Sequence, residues 1–263
     1  MPDAVGARLD SAIRLAEQAG KMAMAMRPPP GAVRGKLKAP QDWVTEADTA
    51  IERFLSEQFA AAFPSDGFQG EEAGVSRGGR LRWVVDPIDG TANFARGAAR
   101  FCVSVGCLEG TTPLLGVVVA PALHETITAR RDAGAWLNGR PLHAADTKAV
   151  DQAIMEVGWS RRRPNTAYLE VCERVLRDGA SLRHGGSGSL GLVDVAAGRL
   201  DGYAELHINL WDVAAALVIL REAGARVSDF LRGDGATAGN PIVACAPGLA
   251  NAWSDLPGLP AAV

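Results

Sequence analysis

The chain has 263 residues, a formal net charge of -3, 48% hydrophobic residues and 22% charged ones. That is enough chain for one large core or two closely packed parts, and the composition lacks the signature of disorder. The charge balance gives nucleic acid and anionic membranes no electrostatic hold, and no window approaches the roughly 18 apolar residues of a membrane-spanning helix. Asp3, Asp10 and Glu17 interrupt the apolar run that a secretion signal needs. The expectation is a cytoplasmic protein with no membrane and no nucleic-acid partner. Cys102, Cys107, Cys172 and Cys245 sit in apolar segments and read as buried, reduced thiols. Cys102 and Cys107 are five apart in a strand-like run, which points them to opposite faces of a sheet.

In chain order, Val5, Leu9, Ile13, Ala16 and Gly20 recur at helical spacing from about Asp3 to Arg27, and Pro28-Pro29-Pro30 stops the helix. A short irregular stretch precedes a second amphipathic helix near Thr45–Phe63, with Ile51, Leu55 and Phe59 on one stripe and Pro64 at its end. Phe68–Glu72 and Leu81–Asp86 read as strands, as do Phe101–Leu108, Leu114–Ala120 and Glu125–Ala129. Asn138-Gly139 reads as a hairpin turn. From about Asp146 strands and helices alternate: Ala153–Val157, Ala167–Leu176, Ser181–His184, Ser189–Ala197, Gly202–Leu206, Trp211–Ala223, Arg226–Phe230, Ile242–Ala246, and a last helix near Pro247–Leu256. Residues 1–145 therefore read as an α+β part with an antiparallel sheet, and residues 146–263 as an α/β part. No linker-like tract separates them, so they are expected to share one packed unit.

Trp83-Val84-Val85-Asp86-Pro87-Ile88-Asp89-Gly90-Thr91-Ala92-Asn93-Phe94 carries the chemistry. An apolar strand delivers Asp86 to its carboxyl end, Pro87 keeps Asp86 out of the helical region, and Gly90 permits an unusual turn. Two carboxylates three residues apart on such a turn can converge on one point. A helix opening after Gly90 would aim the N–H groups of Gly90 and Thr91 at the same point, where phosphate is favoured. Glu71 and Glu72 follow a short strand, while Asp48 and Asp212 open helices. Each of these is ambiguous alone, because acids in a first helical turn also serve as caps. Two unit charges about 4 Å apart repel by about 4 kcal/mol at an effective dielectric near 20. Several acids in one cleft thus require divalent cations, and all-oxygen ligands favour Mg²⁺ over zinc.

The segment from Asp86 to Phe94 resembles the signature of the inositol monophosphatase family. Asp42-Trp43-Val44-Thr45-Glu46-Ala47-Asp48, Gly70-Glu71-Glu72, and Trp211-Asp212-Val213-Ala214 followed by Glu222-Ala223-Gly224 resemble its other motifs, in the family's order. The resemblance covers roughly residues 5 to 250. It implies a layered αβαβα sandwich of the sugar-phosphatase type and a homodimeric, lithium-sensitive phosphomonoesterase with two or three Mg²⁺ ions per subunit. Glu71, Asp86 and the Ile88 carbonyl would hold one ion, Asp86, Asp89 and Asp212 a second, and a weaker third would sit near Glu71. Thr91, paired with Asp48, would orient and help deprotonate the attacking water. Asp89, Gly90, Thr91, Ser189, Glu205 and Asp212 would contact substrate, the Gly90 and Thr91 amides gripping the phosphate and Glu205 a hydroxyl. The implied substrate is a small phosphorylated polyol or sugar, first of all myo-inositol 1-phosphate, with histidinol phosphate as runner-up. Ala92, Arg96 and the run Gly185 to Ser189 depart from the family pattern, the last on the substrate side.

Other classes explain less. Gly186-Ser187-Gly188-Ser189-Leu190-Gly191 satisfies the Gly-x-Gly-x-x-Gly pattern of dinucleotide-binding proteins after a strand-like segment, with Glu205 on a later strand. It leaves too few strands after it for a dinucleotide sheet and accounts for none of the acidic motifs. A non-catalytic, metal-dependent binding module would have no reason to keep Thr91 beside a full ligand set. The four histidines lack ligand spacing, and no serine sits in a nucleophile elbow. Arg161-Arg162-Arg163 reads as a solvated loop or, alternatively, as an anion-selecting edge or subunit contact.

Overall fold

A computed structural model describes residues 4–263; Asp3, at the start of the predicted first helix, lies outside them. Helix α1 (Ala4–Met26) buries Ala12, Leu15, Ala16, Ala19, Gly20 and Ala23, a face of mostly small residues that lets the helix lie close to a sheet. Strands β1 (Lys36–Ala39) and β2 (Asp42–Val44) form an antiparallel hairpin where the sequence reads as irregular. With no position of either strand buried, the hairpin has no alternation for a pattern to reveal. Helix α2 (Glu46–Ala62) starts at its Thr45 cap and buries the expected Ile51, Leu55 and Phe59.

Strands β3 (Gly67–Gly70), β4 (Gly74–Arg77) and β5 (Leu81–Asp89) lead to a single-turn helix α3 (Thr91–Phe94). Then come β6 (Cys102–Glu109), β7 (Thr112–Ala120), β8 (Glu125–Arg130), β9 (Ala135–Leu137) and β10 (Arg140–Pro141). They build one eight-stranded sheet in the order β10-β9-β8-β7-β6-β5-β3-β4, antiparallel except for the β3–β5 pair. Asn138 and Gly139 both have positive φ, 49° and 76°, as the tight β9–β10 hairpin requires. The second half supplies β11 (Ile154–Gly158), α4 (Asn165–Arg177), β12 (Ser181–Arg183), α5 (Gly188–Ala196), β13 (Gly202–Ile208), α6 (Leu210–Glu222), β14 (Arg226–Val227), α7 (Gly235–Ala238) and β15 (Asn240–Cys245). Its five-stranded sheet runs β12-β11-β13-β15-β14, parallel across the first three strands and antiparallel beyond. The last predicted helix is only a 3₁₀ turn at Pro247–Leu249, and the strand expected to reach Phe230 stops at Val227.

Side-chain alternation sets five layers. Val85, Val103, Val105, Cys107, Val117 and Val119 pack under α1 and α2. Val84, Cys102, Val118 and Ala120 face the other way, onto α5 and α6, which also cover Ile242 and Ala244 of the second sheet. Val243 and Cys245 point outward to α4 and Trp253. The order is α, β, α, β, α, and Cys102 and Cys107 lie on opposite faces. Helix α6 is apolar nearly all round because it is the filling between two sheets. It fits because β6 and β7 present glycines to it: a Cβ on Gly106 would meet the Ala214 Cβ at 2.7 Å, and one on Gly116 the Ala215 carbonyl oxygen at 2.2 Å.

Substituting Gly116→Val should therefore push α6 off the sheet and lower stability by about 3 kcal/mol; the shift in the urea midpoint measures it.

Candidate active site

Asp86 and Asp89 leave the end of β5 on the same side because of a β-bulge. Asp86 pairs with Ser104 but Asp89 with Cys102, so three steps on β5 match two on β6. On a regular strand, residues three apart face opposite ways; the bulge cancels that. Pro87 sits inside the irregularity, where a missing N–H disturbs no ladder. Asp86 is 1% and Asp89 6% exposed. Asp86 Oδ1 accepts from the Ile88 N–H at 3.0 Å. Gly90 has φ 89°, and a Cβ there would lie 2.9 Å from the Arg100 carbonyl, so the turn needs glycine. Helix α3 is too short to act as the extended dipole the sequence pattern predicts, which leaves only the local backbone of Gly90 and Thr91 at the cleft wall.

Two further acids arrive by one device. Asp48 is the third residue of α2 and Asp212 the third of α6, each accepting from the backbone N–H of its own N-cap. The Thr45 N–H reaches Asp48 Oδ2 at 2.7 Å and the Asn209 N–H reaches Asp212 Oδ2 at 2.9 Å. Capping and site-building are thus the same contact. Thr91 Oγ1 lies 2.9 Å from the Ile88 carbonyl and 3.3 Å from Asp48 Oδ1, so the expected Thr91–Asp48 pair forms. Glu71 stands in the β3–β4 turn, which Glu52 of α2 clamps by accepting from the N–H groups of Glu72 and Ala73, both at 2.8 Å. Gly70 leaves room for that carboxylate, which a Cβ would meet at 2.2 Å. Glu52 escapes sequence reading, although its i,i+4 relation to Asp48 puts both on one face of α2.

The Gly-x-Gly-x-x-Gly run has a different task from phosphate binding. Ser187 Oγ and the Ser189 N–H each donate to Asp89 Oδ2 at 2.6 Å, and the Gly188 N–H donates to Oδ1 at 3.2 Å. The nest of donors that a dinucleotide would require is filled by Asp89. Asn93 of the signature ties this loop down, its Nδ2 donating to the Gly185 carbonyl at 2.9 Å and that of Arg100 at 2.8 Å. Ser189 departs from its expected place. It is 0% exposed, its Oγ donates to the Asp212 carbonyl at 2.6 Å, and it lies behind the acids rather than in the cleft. Glu205 does line the cleft and accepts from the Tyr203 hydroxyl at 2.6 Å. Gly158 on the adjoining strand makes this possible, since a Cβ would strike Glu205 Oε2 at 2.3 Å.

Oxygen atoms of Asp86, Asp89 and Asp212 lie within 4.8 Å of one another, at the wall of a cleft of about 320 Å³. Burial first, then Glu71, Asp89, Asp212 and Asp48, hold the Asp86 carboxyl well above the usual range. Burial and Asp89 push Asp212 up to about 7, and burial raises Asp89 despite its three donors. Glu71, outside the tight group of three, is pushed well up by burial and by Asp212, with Lys38 opposing. Asp48 is raised to about 6, mainly by burial, and Glu205 to about 8, again by burial first. Arg100, the basic side chain near Asp89, is committed to Glu156 at 2.7 Å and Asp194 at 2.8 Å. Asp86, Asp89 and Asp212 therefore offer oxygen donors with too little room for all to be charged alone, and among the described residues no basic side chain is paired with them. That is the donor chemistry of a hard divalent ion.

A five-layered sandwich with converging acids at a polar cleft is the architecture of a metal-dependent phosphomonoesterase. Residues 7–256 match the model of the inositol monophosphatase family, and the chain belongs to that family. It is 42% identical over 198 residues to an inositol-1-monophosphatase of Rhizobium meliloti, covering 73% of this chain and 74% of the relative. It is 35% identical over 259 residues to the Nus factor SuhB of Escherichia coli, covering 94% and 96%. Among solved structures, the extragenic suppressor protein suhB of Bartonella henselae superposes with a TM-score of 0.86 at 30% identity, covering 92% of this chain and 95% of that one. The protein is a phosphoric monoester hydrolase of small phosphorylated substrates.

Two expectations follow from this geometry. Asp86→Asn removes a repelling charge while keeping an acceptor for the Ile88 N–H, so the metal-free protein should melt about 2–5 °C higher while losing most of its stabilisation by added Mg²⁺; differential scanning calorimetry reads both. Ser187→Ala removes one of the two donors to Asp89 Oδ2 and should lower turnover or metal affinity about tenfold with the circular dichroism spectrum unchanged.

Proposed function

We propose that the protein hydrolyses a small polyol phosphate, myo-inositol 1-phosphate first, with Mg²⁺ held by its acid cluster. The observation that carries this reading is the convergence of Asp86, Asp89 and Asp212 within 4.8 Å, on a cleft that also presents Glu71, Thr91 and Glu205. Asp86, Asp89 and Asp212 would hold one ion, Asp86 with Glu71 and the Ile88 carbonyl another, and a weaker third would sit near Glu71. Ions held there supply Lewis acidity toward the phosphoryl oxygens and a water of lowered pKa.

The chain's own groups supply the rest. Thr91 Oγ1 shares its one proton between the Ile88 carbonyl and Asp48, and its lone pairs can accept a hydrogen bond from water in the cleft; as that water gives its proton to Oγ1, Oγ1 would pass its own to Asp48. Asp48, with its second oxygen held by Thr45, accepts from Thr91 and fixes that hydroxyl's orientation. Gly90 and Thr91 present backbone donors for the phosphoryl oxygens. Glu205, whose carboxyl burial first and then Asp212 and Asp89 push up to about 8, would contact a substrate hydroxyl. We extend the reading to the family's homodimer, lithium sensitivity and cytoplasmic setting. We also extend it to a division of labour in which residues 1–145 carry most ligands and residues 146–263 carry Asp212 and the substrate side. Among the described residues no helix is long and apolar enough to cross a membrane.

EDTA should abolish hydrolysis of myo-inositol 1-phosphate and Mg²⁺ should restore it; a chelator-resistant phosphatase would overturn the reading. Asp89→Asn should lower kcat/KM at least about a hundredfold with secondary structure intact, and near-normal activity would remove Asp89 from the ligand set.

A further inference from the structure

The loop after β11 brings three consecutive arginines to the rim of the cleft, and they are not equivalent. Arg161 pairs with Asp42 of the β1–β2 hairpin. Arg163 Nε donates to the Leu206 carbonyl of β13 at 3.3 Å. These two contacts pin the loop between the hairpin and the second sheet. Arg162 stands between the anchors and lines the cleft, and it is exposed. Only its backbone N–H is engaged, at 3.5 Å from Ser160 Oγ, and its guanidinium has no partner among the described residues.

The surroundings leave that charge uncompensated. Glu156, the acid of the same cleft on β11, is held by Arg100 at 2.7 Å, and Glu205 is engaged by the Tyr203 hydroxyl. His207 is the neighbour that feels Arg162 and Arg163; burial first, then these two cations, lower its pKa, so it adds little positive charge of its own. The charges bearing on Asp86 are those of Glu71, Asp89, Asp212 and Asp48. The cleft is thus bipolar, with an acid cluster that calls for cations on one wall and a free guanidinium on the rim. A guanidinium with its donor fork open matches a carboxylate or a phosphate.

We infer that Arg162 is a specificity residue that takes a second anionic group, carboxylate or phosphate, at the end of the substrate remote from the scissile phosphate. This rests on the phosphomonoesterase reading above and deepens it: a neutral polyol phosphate is turned over, and one with a distal anion is preferred. The pair is solvent-exposed, so its effect is modest, about fivefold in kcat/KM. Because the contact is the same in ground and transition states, it falls on KM rather than kcat.

The test is a matched series of four-carbon phosphate monoesters whose far end is a hydroxyl, a carboxylate, a second phosphate or an ammonium group, assayed with Mg²⁺ at low ionic strength. The carboxylate and phosphate esters should exceed the hydroxyl ester by about fivefold in kcat/KM, chiefly through KM, and the ammonium ester should fall below it. Arg162→Ala should bring the ratios toward one, and Arg162→Glu should invert them in favour of ammonium, which is the charge carried by histidinol phosphate. Which of the two anionic arms leads identifies the distal group. Equal ratios for all four esters in the unmodified protein, or ratios that Arg162→Glu does not move, would overturn the inference while leaving the phosphatase reading intact. Absence of Mg²⁺-dependent turnover on every ester would overturn the reading beneath it as well.

Discussion

Mutual repulsion among buried carboxylates is the constraint around which this molecule is arranged. Asp86, Asp89 and Asp212 crowd within 4.8 Å, and each pair of charges at such a distance costs on the order of 3 kcal/mol at an effective dielectric near 20. A hydrophobic core would never select that arrangement for stability. The fold holds it by giving the acids backbone or hydroxyl donors: the Ile88 N–H for Asp86, the Ser187–Ser189 nest for Asp89, and the Asn209 N–H for Asp212. Donors fix position and soften the repulsion without cancelling it. The residual deficit of positive charge is what suits the cluster to a divalent cation, so the repulsion within it and its function are one property.

The layers convert that local requirement into a global one. Asp212 rides on α6, which is wedged between two sheets against the glycines of β6 and β7. Asp86 and Asp89 ride on β5, which pairs with β6. Asp48 and Glu52 ride on α2, on the far side of the same sheet. Asp48, Asp86, Asp89 and Asp212, from three layers, therefore meet with their positions set by close-packed interfaces rather than by loops, and Glu52 braces the turn that carries Glu71. Site geometry held this way is precise because packed interiors deform little. The rim is built otherwise, from the β1–β2 hairpin and the loop carrying Arg161 to Arg163, and it is there that substrate selection has freedom to vary.

How far the sequence could be read depended on whether each signal was local. The acidic turn at Asp86–Asp89 stood out because an apolar strand runs straight into it, and the ends of α1 and α2 were marked by Pro28 and Pro64. The bulge that turns both carboxylates to one side was not legible, because it depends on register with β6, a non-local pairing. Asp48 and Asp212 looked like helix caps and are caps; nothing short of tertiary structure shows that two such caps open on the same cleft. The Gly-x-Gly-x-x-Gly run was set aside as a dinucleotide site on the count of strands after it, but its true partner was not legible either. A nest of amides reads as an anion site whether the anion is a phosphate or, as here, the chain's own Asp89. Ser189 was misplaced because a helix-start serine can face either way, and Glu52 was missed because a buried acid on an amphipathic helix resembles an exposed one until its partners at Glu72 and Ala73 are seen.

The central claim is that these acids exist to hold divalent ions, and anomalous diffraction from crystals soaked in Mn²⁺, a stand-in for Mg²⁺ among oxygen ligands, tests it most directly. The account predicts anomalous peaks bonded to carboxylate oxygens of Asp86, Asp89 and Asp212 at roughly 2.0–2.3 Å. A soaked crystal with no peak among those three residues, or with its only peaks elsewhere on the surface, would contradict it.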